Sequence, residues 1–478
     1  MIDSCAMKRE LPENGGVGRG DKIALVSLGC PKNLVDLQVV ASALRDAGFD
    51  VGVPESRADA ILVNTCAFIE SARREAVDAI AEACSRKAGG KCRAVIVSGC
   101  LAQRYGEAVF AACPEVDAVM GVDDLERAPA VVRRALDAPG TAINAVSGGR
   151  SKKLFTAKEP WFVLTPGPYA YLKIGEGCRH ACAFCAIPGI RGRLRSRPIP
   201  ALVEEAAALV AHGIREIDVI AQDVTSYGMD LRDGSSLAAL LAALDGLDGD
   251  FRVRMLYGHP AGLSDELLDA VASSKKVLPY FDVPVQHASE AVLRAMDRRD
   301  TIRHVPGMVR RIRERVPGAV VRTTCLVGFP GETRRDFENL LRYVEESRFD
   351  HLGAFVFSPE EGTKAFSMPG AVPARTAERR RDRLMRLQAQ IVDETLRTLA
   401  GRETTVLLET PPKRRSGDWT GRSGRQAPDD IDGVTIVRNA PPDAKAGSFV
   451  RCRIVGHSGY DIVAEALPPA GGNSRKAR

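Results

Sequence analysis

The sequence predicts an α/β protein with an N-terminal open parallel α/β domain, a central partial (β/α)6 barrel and a small C-terminal all-β domain of OB-like size. The first observation is the length of 478 residues, which is enough for three domains of about 150 residues each. The second is a repeated alternation of short apolar runs with amphipathic helical periods as far as Leu399, which is typical of parallel βα units. The third is a change after Gly401 to short strands between Gly, Pro and Asp turns, which indicates a small closed β domain.

Composition and charge exclude several classes of protein. Hydrophobic residues make up 45% of the chain and charged residues 27%, which excludes collagen-like and wholly disordered chains. Charged residues or Gly interrupt every long apolar run, so none reaches the roughly 20 residues of a membrane span. Residues 1–20 lack the apolar core of a secretory signal. We therefore expect a cytoplasmic protein whose 12 cysteines are reduced, and grouped cysteines are then metal ligands rather than disulfides.

The N-terminal domain is expected at residues 22–137. A disordered leader is expected before it at 1–21, and a linker rich in Gly, Ser and Lys after it at 138–163. Continuous apolar runs predict buried parallel strands, and apolar residues at helical spacing predict the helices between them. The predicted strands are Lys22–Leu28, Ala60–Thr65 and Arg93–Ser98, and the predicted helices are Leu34–Ala47 and Glu70–Ala83.

The central domain is expected at residues 164–400 and contains six βα repeats. The predicted strands are Tyr169–Ile174, Glu216–Ala221, Arg252–Tyr257, Tyr280–Val285, Val320–Val327 and His351–Phe357. The predicted helices are Pro200–His212, Leu237–Leu247, Ser264–Ser273, Glu290–Met296, Ile302–Val316 and Arg334–Ser347. Six repeats are too few for a closed eight-fold barrel, so we expect a partial barrel with its site at the carboxyl ends of the strands. A long amphipathic helix, Thr376–Leu399, can bridge to the next domain.

The C-terminal domain is expected at residues 401–466, followed by a disordered tail at 467–478. Its predicted strands are Thr404–Leu408, Gly433–Val437, Ser448–Val455 and Asp461–Ala464. Ten Lys and Arg against nine Asp and Glu lie between Arg402 and Glu465. This near-neutral balance favours a folded protein partner, since a basic face would favour tRNA. The arginine-dense stretch Arg375–Arg386 argues mildly the other way, unless it is only a solvated helix face.

Cys178, Cys182 and Cys185 lie in the segment GCRHACAFCAIPG, directly after the first strand of the predicted barrel. This spacing lets one loop direct three thiolates at one centre. Three thiolates on a four-iron cluster leave one iron open to a substrate or cofactor, as at catalytic metal sites. The alternatives are a structural zinc with His180 as fourth ligand, or thiols with no shared role.

Cys30, Cys66 and Cys100 are dispersed in sequence but share one setting. They lie in SLGCPKN, VNTCAFIE and VSGCLAQRY, each after a predicted strand of the N-terminal sheet. Such positions meet at the carboxyl edge of a parallel sheet, where open α/β folds bind ligands. We therefore predict a second metal centre, although a single buried Cys is more often a small core residue.

The Cys-x-x-x-Cys-x-x-Cys motif, with Phe184 before its third cysteine, at the mouth of a partial barrel, resembles the radical S-adenosylmethionine (SAM) superfamily. The resemblance implies a [4Fe-4S] cluster whose open iron binds SAM. It also implies reductive cleavage of SAM to methionine and a 5′-deoxyadenosyl radical, which abstracts hydrogen from an unactivated carbon.

Two such cysteine groups with a terminal β domain resemble the radical SAM methylthiotransferase family from about Lys22 to Glu465. The resemblance implies two [4Fe-4S] clusters, SAM as cofactor and a C-terminal TRAM domain. Within the family, Cys30–Asn33 (CPKN), Ile220–Gly228 and Gly421–Gly433 are similar to the RimO-type branch, which methylthiolates the β-carbon of an aspartate on ribosomal small-subunit protein twelve. That protein would be the substrate, and an electron donor and a sulfur donor would be further partners.

Two other functions remain as hypotheses. The tRNA-modifying (MiaB-type) branch performs the same chemistry on an adenosine derivative, and it usually has Gln-Met-Asn where this chain has Pro31, Lys32 and Asn33. The other hypothesis is a non-catalytic scaffold that binds RNA through its β domain and uses the cysteines for structural metals.

Three further sites follow from this resemblance. Asp223 and Gln286 lie at the carboxyl ends of barrel strands two and four, where they could hold the amino group and ribose of SAM. Polar residues at strand ends are also common helix caps. Val327–Gly328 could admit the adenine against the backbone, since Gly has no Cβ, with a tight turn around Pro330 and Gly331 as the alternative. The acidic run Asp429, Asp430 and Asp432 is interpreted as a dock for a basic ribosomal protein, with a plain turn as the alternative.

Overall fold

The fold is taken from a computed structural model that describes residues 20–90, 92–147, 154, 163–412 and 417–468. The predicted leader before Gly20, Cys5, most of the predicted linker and the tail after 468 lie outside the described residues. Within the described ranges, no helix combines the length and the apolar character that crossing a bilayer requires.

The N-terminal domain is a six-stranded parallel sheet in the order β2-β1-β3-β4-β5-β6. Its strands are β1 (Lys22–Ser27), β2 (Asp50–Val51), β3 (Ala60–Thr65), β4 (Ala94–Gly99), β5 (Ala118–Met120) and β6 (Ile143–Asn144). Its helices are α1 (Pro31–Asp46), α2 (Glu70–Gly89), α3 (Cys100–Tyr105), α4 (Ala108–Ala112) and α5 (Ala128–Asp137). The three predicted strands are confirmed as β1, β3 and β4. The other three strands were not predicted, because runs of two or three residues carry no periodic pattern.

The central domain is a six-stranded parallel sheet in the order β14-β13-β12-β11-β10-β7. Its strands are β7 (Tyr169–Lys173), β10 (Glu216–Ile220), β11 (Arg252–Met255), β12 (Val277–Asp282), β13 (Val320–Val327) and β14 (His351–Val356), beside a small antiparallel pair, β8 (Gly175–Glu176) and β9 (Arg195–Ser196). Its helices are α6 (Ile187–Arg191), α7 (Ile199–Ala211), α8 (Leu237–Asp245), α9 (Asp265–Ser273), α10 (Glu290–Ala295), α11 (Met308–Arg315) and α12 (Arg334–Ser347). The predicted partial barrel is confirmed. The predicted helix Ile302–Val316 is wrong in its first half, because Gly307 adopts a left-handed conformation (φ 74°) and α11 begins after it.

A long helix, α13 (Ala374–Arg397), connects the barrel to the β domain. Leu384 and Ile391 pack into the barrel core. Val392 and Leu396 pack with Ile454 of the β domain. The predicted bridge is therefore confirmed, and it fixes the C-terminal domain on the barrel.

The C-terminal domain is a closed five-stranded barrel in the order β15-β16-β17-β19-β18. Its strands are β15 (Glu403–Thr410), β16 (Trp419–Ser423), β17 (Thr435–Arg438), β18 (Phe449–Ser458) and β19 (Asp461–Ala466). β16 was not predicted, because its sequence WTGRS has little apolar alternation. Gly421 allows this strand to approach β15 closely, since a Cβ there would collide with the backbone of Leu407.

The acidic run of the β domain faces the central barrel, so the interpretation that it docks a basic protein is wrong for two of its three carboxylates. Asp429 accepts hydrogen bonds from the hydroxyls of Tyr169 and Tyr171. Asp432 is only 1% exposed and accepts hydrogen bonds from Tyr280 and Arg322. Both carboxylates hold the two domains together, and no partner protein could reach Asp432.

A buried charge network lies at the same domain interface. Glu216 of β10 is fully buried and accepts hydrogen bonds from Arg252, from Arg254 at 3.0 Å and from Arg422 of the β domain at 2.6 Å. Burial alone would raise the pKa of Glu216, but the three guanidinium groups hold it well below its usual range. The ionised carboxylate is therefore the partner on which three buried cations depend.

We expect Glu216→Gln to destabilise the protein by about 3–5 kcal/mol, because it removes the buried carboxylate that three guanidinium groups share. Thermal unfolding should show a lowered midpoint. Glu403→Gln is the matched control, since Glu403 pairs with Arg451 and Arg453 at an exposed site, where ion pairs contribute little. An equal effect of the two substitutions would contradict the importance of the buried network.

Candidate functional site

The N-terminal cysteine group, defined as Cys30, Cys66 and Cys100, lies at the carboxyl edge of the first sheet. β1, β3 and β4 are adjacent and in register there, with Ser27 opposite Asn64 and Asn64 opposite Ser98. Each cysteine follows that row by two or three residues. A Cβ on Gly29, next to Cys30, would lie 3.2 Å from the Sγ of Cys66, and Cys30 is near enough to Cys100 to influence its pKa. The structure therefore places the three thiols at the same edge of the sheet.

Asn33 organises this edge of the sheet. Its side-chain amide donates to the carbonyls of Leu28 (3.2 Å) and Thr65 (2.9 Å), and its Oδ1 accepts from the Cys100 thiol at 3.5 Å. Gly99 precedes Cys100 with φ 93°, and a Cβ there would lie 2.5 Å from Asn64 Oδ1. Glycine is thus required for the chain to turn Cys100 into the group.

The barrel cysteine group, defined as Cys178, Cys182 and Cys185, lies on the loop that follows β7 and β8. Backbone hydrogen bonds fold this loop: Cys178 N donates to Gly192 O at 3.0 Å and Cys185 N to Cys182 O at 3.0 Å. The loop is anchored on the barrel because Ala183 N donates to Met296 O at 2.9 Å. Cys185 lies close enough to both other thiols for each of them to raise its pKa, so the three converge on one side of the loop.

Arg298 contacts the barrel cysteine group and was not among the residues predicted from the sequence. Its Nη1 lies 3.8 Å from Cys182 Sγ and its Nη2 donates to Pro284 O at 3.0 Å. Burial raises the pKa of Cys178 to about 11, and the Arg298 guanidinium opposes that rise. The sequence gives one indirect indication of this role: Arg298 lies two residues after Met296. That position becomes informative only when the structure shows that the Met296 carbonyl anchors the cysteine loop.

Both groups have the donor chemistry of a metal cluster. Burial raises the pKa of Cys100 to about 11 and that of Cys185 to about 12, so these thiols are protonated at neutral pH without a metal. A coordinated metal deprotonates a thiol outright. Three thiolates with adjacent guanidinium groups fit a four-iron cluster with one open iron, and no carboxylate is needed to complete either set.

His180 does not complete a zinc site with the barrel cysteine group. Its Nε2 lies 2.9 Å from Asp223 Oδ2 and its Nδ1 lies 3.7 Å from Asp300 Oδ2, so both ring nitrogens face carboxylates. The ring also stacks on His259 with centroids 3.9 Å apart. This arrangement disfavours the zinc alternative, because zinc needs a ring nitrogen directed at the thiolates.

Asp223 accepts four hydrogen bonds, from His180, the backbone and hydroxyl of Thr225, and the hydroxyl of Ser226. It caps a short 3-10 turn, which is the capping role weighed in the sequence analysis. Burial opposes ionisation, but these hydrogen bonds lower the pKa of Asp223 to about 2. Asp223 is therefore an anion that orients His180 next to the barrel cysteine group, and its contact with SAM stays a prediction.

Gln286 lies beyond the end of β12 and has φ 67°, a conformation that costs free energy for a residue with a side chain. Its backbone bridges to β13, since its N–H donates to Thr324 O at 2.9 Å and its carbonyl accepts from Leu326 N at 2.7 Å. Among the described residues its side-chain amide has no hydrogen-bond partner, so the amide is available to a ligand. Its contact with SAM also stays a prediction.

Gly328 has φ 80°, and a Cβ there would lie 2.5 Å from Ala377 Cβ on α13. Its N–H donates to the buried carboxylate of Glu332. The absence of a side chain at Gly328 therefore makes room for α13. This packing role was not part of the sequence prediction, which expected Gly328 to make room for the adenine of SAM.

Arg191 connects the two cysteine groups. It ends α6, six residues after Cys185, and is 1% exposed. Its Nη2 lies 2.6 Å from Asn33 Oδ1, 2.9 Å from Asp36 Oδ2 and 3.4 Å from Cys100 Sγ, and its Nη1 bonds to Glu176. Lys173 of β7 pairs with the same two carboxylates, Asp36 and Glu176. One buried network thus fixes the N-terminal domain on the barrel and holds the two groups at a common interface.

Comparison with known proteins identifies the family to which the chain belongs. Family models match three segments: "Uncharacterized protein family UPF0004" at residues 22–121, "Radical SAM superfamily" at 172–344 and "TRAM domain" at 400–467. A ribosomal protein uS12 methylthiotransferase RimO from Trichlorobacter lovleyi is 42% identical over 93% of this chain and 98% of its own. Another from Syntrophus aciditrophicus is 43% identical over 94% of this chain and 99% of its own. The chain belongs to the RimO family.

Membership of the RimO family confirms the resemblance found in the sequence. A solved structure supports the fold: TsrM from Kitasatospora setae, a radical SAM methyltransferase with cobalamin and a [4Fe-4S] cluster bound, is similar with a TM-score of 0.54. It is 17% identical and covers 73% of this chain and 74% of its own. The chain is thus a radical SAM enzyme with an N-terminal parallel sheet, a central partial barrel and a C-terminal TRAM barrel.

Proposed function

We propose that this chain methylthiolates the β-carbon of an aspartate on ribosomal protein uS12, with SAM and two [4Fe-4S] clusters as cofactors. The observation that carries the proposal is the presence of two three-thiol groups, the N-terminal cysteine group and the barrel cysteine group. They lie on opposite sides of a domain interface that Arg191 bridges through its hydrogen bonds. The names of relatives that are about 40% identical over nearly the whole chain support this substrate over tRNA.

Each cysteine group would hold one cluster. When bound, the barrel cluster and SAM supply the radical chemistry that activates a C–H bond, and the N-terminal cluster supplies an open iron for sulfur. Arg298 and Arg191 lie against Cys182 and Cys100, one cation at each group. Hydrogen bonds to cluster sulfurs and nearby net charge set the reduction potential, so these two residues would tune their respective clusters.

SAM would lie at the barrel mouth. We propose that Gln286 contacts its ribose through the side-chain amide and that Asp223 attracts its amino group as an anion. Asp223 already accepts four hydrogen bonds, so it would act on SAM chiefly through charge and through the orientation of His180. An electron donor to the barrel cluster and a sulfur donor to the N-terminal cluster would complete the reaction.

The test compares cells with and without the gene. Mass spectrometry of uS12 should show a methylthio group on one aspartate of wild-type cells and its absence from the deletion strain. Complementation with the intact gene should restore the group. The tRNA of the same cells should keep its methylthioadenosine. Loss of the tRNA modification with an unchanged uS12 would overturn the proposal in favour of the tRNA-modifying alternative.

A further inference from the structure

A stripe of arginines runs along the exposed side of α13. Residues three or four positions apart on a helix lie on the same face, and four exposed arginines follow that spacing from the first turn onward: Arg375, Arg379, Arg383 and Arg386. Leu384 and Ile391 of the same helix pack instead into the barrel core. The stripe therefore faces solvent, on a different side of α13 from the residues that hold the helix on the barrel.

α12 lies beside α13 and extends the stripe. Three ion pairs at successive levels show that the two helices run in the same direction: Arg380–Glu332, Arg383–Glu338 and Arg348–Glu394. Arg334 and Arg342 lie one turn on either side of Glu338 and are exposed. The hydrogen bond from Arg383 and the charges of Arg334 and Arg342 lower the pKa of Glu338, so the arginines of both helices meet there. We define the α12–α13 basic surface as Arg334, Arg342, Arg375, Arg379, Arg383 and Arg386.

The α12–α13 basic surface is largely unpaired. Within the part of the chain that the structure describes, Glu338 is the one carboxylate that forms an ion pair with any of its six arginines. Asp382, at the edge of the stripe, pairs with Arg381 outside it. The exposed arginines of α11 are matched by acids instead, as in the pairs Arg310–Glu314, Arg315–Asp265 and Arg315–Asp269. A merely solvated helix face carries both signs in that way, so the positive excess on α12 and α13 indicates an anionic partner.

This surface begins at the end of the barrel where a substrate must enter. α12 starts at Arg334, just beyond the carboxyl end of β13, and the site of such a barrel faces the carboxyl ends of its strands. Gly328, in the loop between β13 and α12, packs closely against Ala377 in the first turn of α13. Both helices therefore start at the barrel mouth.

The TRAM barrel lies at the opposite end of the strands. Arg422 pairs with Glu216, the first residue of β10, and Arg425 pairs with Asp350, immediately before β14. A macromolecule that presents its target residue at the barrel mouth is therefore closer to the α12–α13 basic surface than to the contacts between the TRAM barrel and the central domain.

Arginine is well suited to binding phosphate, because its planar guanidinium stays charged and donates two parallel hydrogen bonds to phosphate oxygens. RNA presents one such anion at every nucleotide, and a ribosomal protein is held on ribosomal RNA. We propose that the α12–α13 basic surface binds the phosphate backbone of ribosomal RNA, so that the enzyme acts on uS12 within a ribonucleoprotein particle in preference to free uS12. The inference rests on the proposed function for its protein substrate and adds a second partner, RNA, with its own docking surface.

The experiment compares free uS12 with small ribosomal subunits isolated from cells that lack the gene. The wild-type enzyme should show a kcat/KM at least about tenfold higher on the subunits, because phosphate contacts add to its affinity for them. The test variant replaces three unpaired arginines by Gln, which supports a helix nearly as well: Arg375, Arg379 and Arg386. It should lose most of this preference and keep its activity on free uS12.

A matched control removes the same charge elsewhere. It replaces by Gln three exposed arginines that pair with neighbouring acids: Arg86, Arg310 and Arg397. This control should behave as wild type on both substrates, because its arginines lie outside the α12–α13 basic surface. Thermal unfolding and iron content of both variants should equal those of the wild-type enzyme.

Binding is measured separately from the reaction, by co-sedimentation of the enzyme with the subunits at several salt concentrations. Each phosphate contact contributes about 0.7–0.9 to the slope of log K against log salt concentration. The slope should therefore be smaller by about two to three in the test variant than in the wild-type enzyme. The control variant should keep the wild-type slope.

Three results would overturn the inference. An unchanged salt slope in the test variant would show that these arginines contact no phosphate. Equal loss of activity on free uS12 and on subunits would assign the arginines to the reaction or the fold. Loss of SAM cleavage with an acidic protein reductant, but not with a chemical reductant, would show that the surface docks an electron donor instead. If the wild-type enzyme cleaves SAM but modifies uS12 in neither form, the proposed function fails, whereas the salt slope of binding still decides on the surface, so the two failures are distinguishable.

Discussion

Replacing Cys178, Cys182 and Cys185 together by Ala is expected to remove about half of the iron and to abolish SAM cleavage. Two four-iron clusters give about eight irons per chain, and each cysteine group should hold one of them. On the proposed function, SAM cleavage would need an electron from the barrel cluster, which this variant cannot hold. Iron analysis of anaerobically purified protein and chromatographic detection of 5′-deoxyadenosine after addition of reductant measure the two effects.

A matched control uses three other thiols. Cys84, Cys92 and Cys113 are buried in the core of the N-terminal domain, and their joint replacement by Ala should leave both iron and SAM cleavage near the wild-type values. Unchanged iron in the barrel variant would mean that its loop is not a cluster site. Equal iron loss in both triple variants would indicate general destabilisation rather than loss of ligands.

The sequence predicted the positions that depend on local pattern. Cys30, Cys66 and Cys100 follow apolar runs whose parallel pairing brings strand ends together, so their convergence could be predicted from strand order alone. The barrel cysteine group could be predicted from its spacing. Strands of two or three residues, such as β2 and β6, could not, because so few residues show no periodicity.

Contacts between domains could not be predicted from the sequence. Arg191 meets Asp36 from 155 residues away, and Glu216 meets Arg422 from 206 residues away. Nothing in either local pattern marks these residues as partners. The interpretation of Asp429 and Asp432 as a docking site was wrong for the same reason. An acidic run in a turn suggests a solvated face, whereas the barrel tyrosines whose hydroxyls donate to these two carboxylates are identified only in the folded chain.

Replacing Cys30, Cys66 and Cys100 together by Ala should abolish methylthiolation of uS12 while 5′-deoxyadenosine is still produced. On the proposed function, radical generation would depend on the barrel cysteine group and sulfur delivery on the N-terminal cysteine group, so the two activities should separate. Iron should again fall by about half, which distinguishes loss of one cluster from loss of the fold.

The same triple variant of Cys30, Cys66 and Cys100 also tests whether the interface between the N-terminal domain and the barrel depends on the cluster. The three alanines leave Arg191 paired with Asp36 and Glu176, so the N-terminal domain should stay docked and the thermal unfolding midpoint should fall only by what the cluster itself contributes. Mass spectrometry of uS12 should then find no methylthio group in a reaction that consumes SAM. Methylthiolation at the wild-type rate would refute the second cluster site. If the variant lost both SAM cleavage and methylthiolation, the two cysteine groups would depend on one another through the Arg191 network. Arg191 contacts Cys100 and ends the helix that follows Cys185, so it connects the two groups.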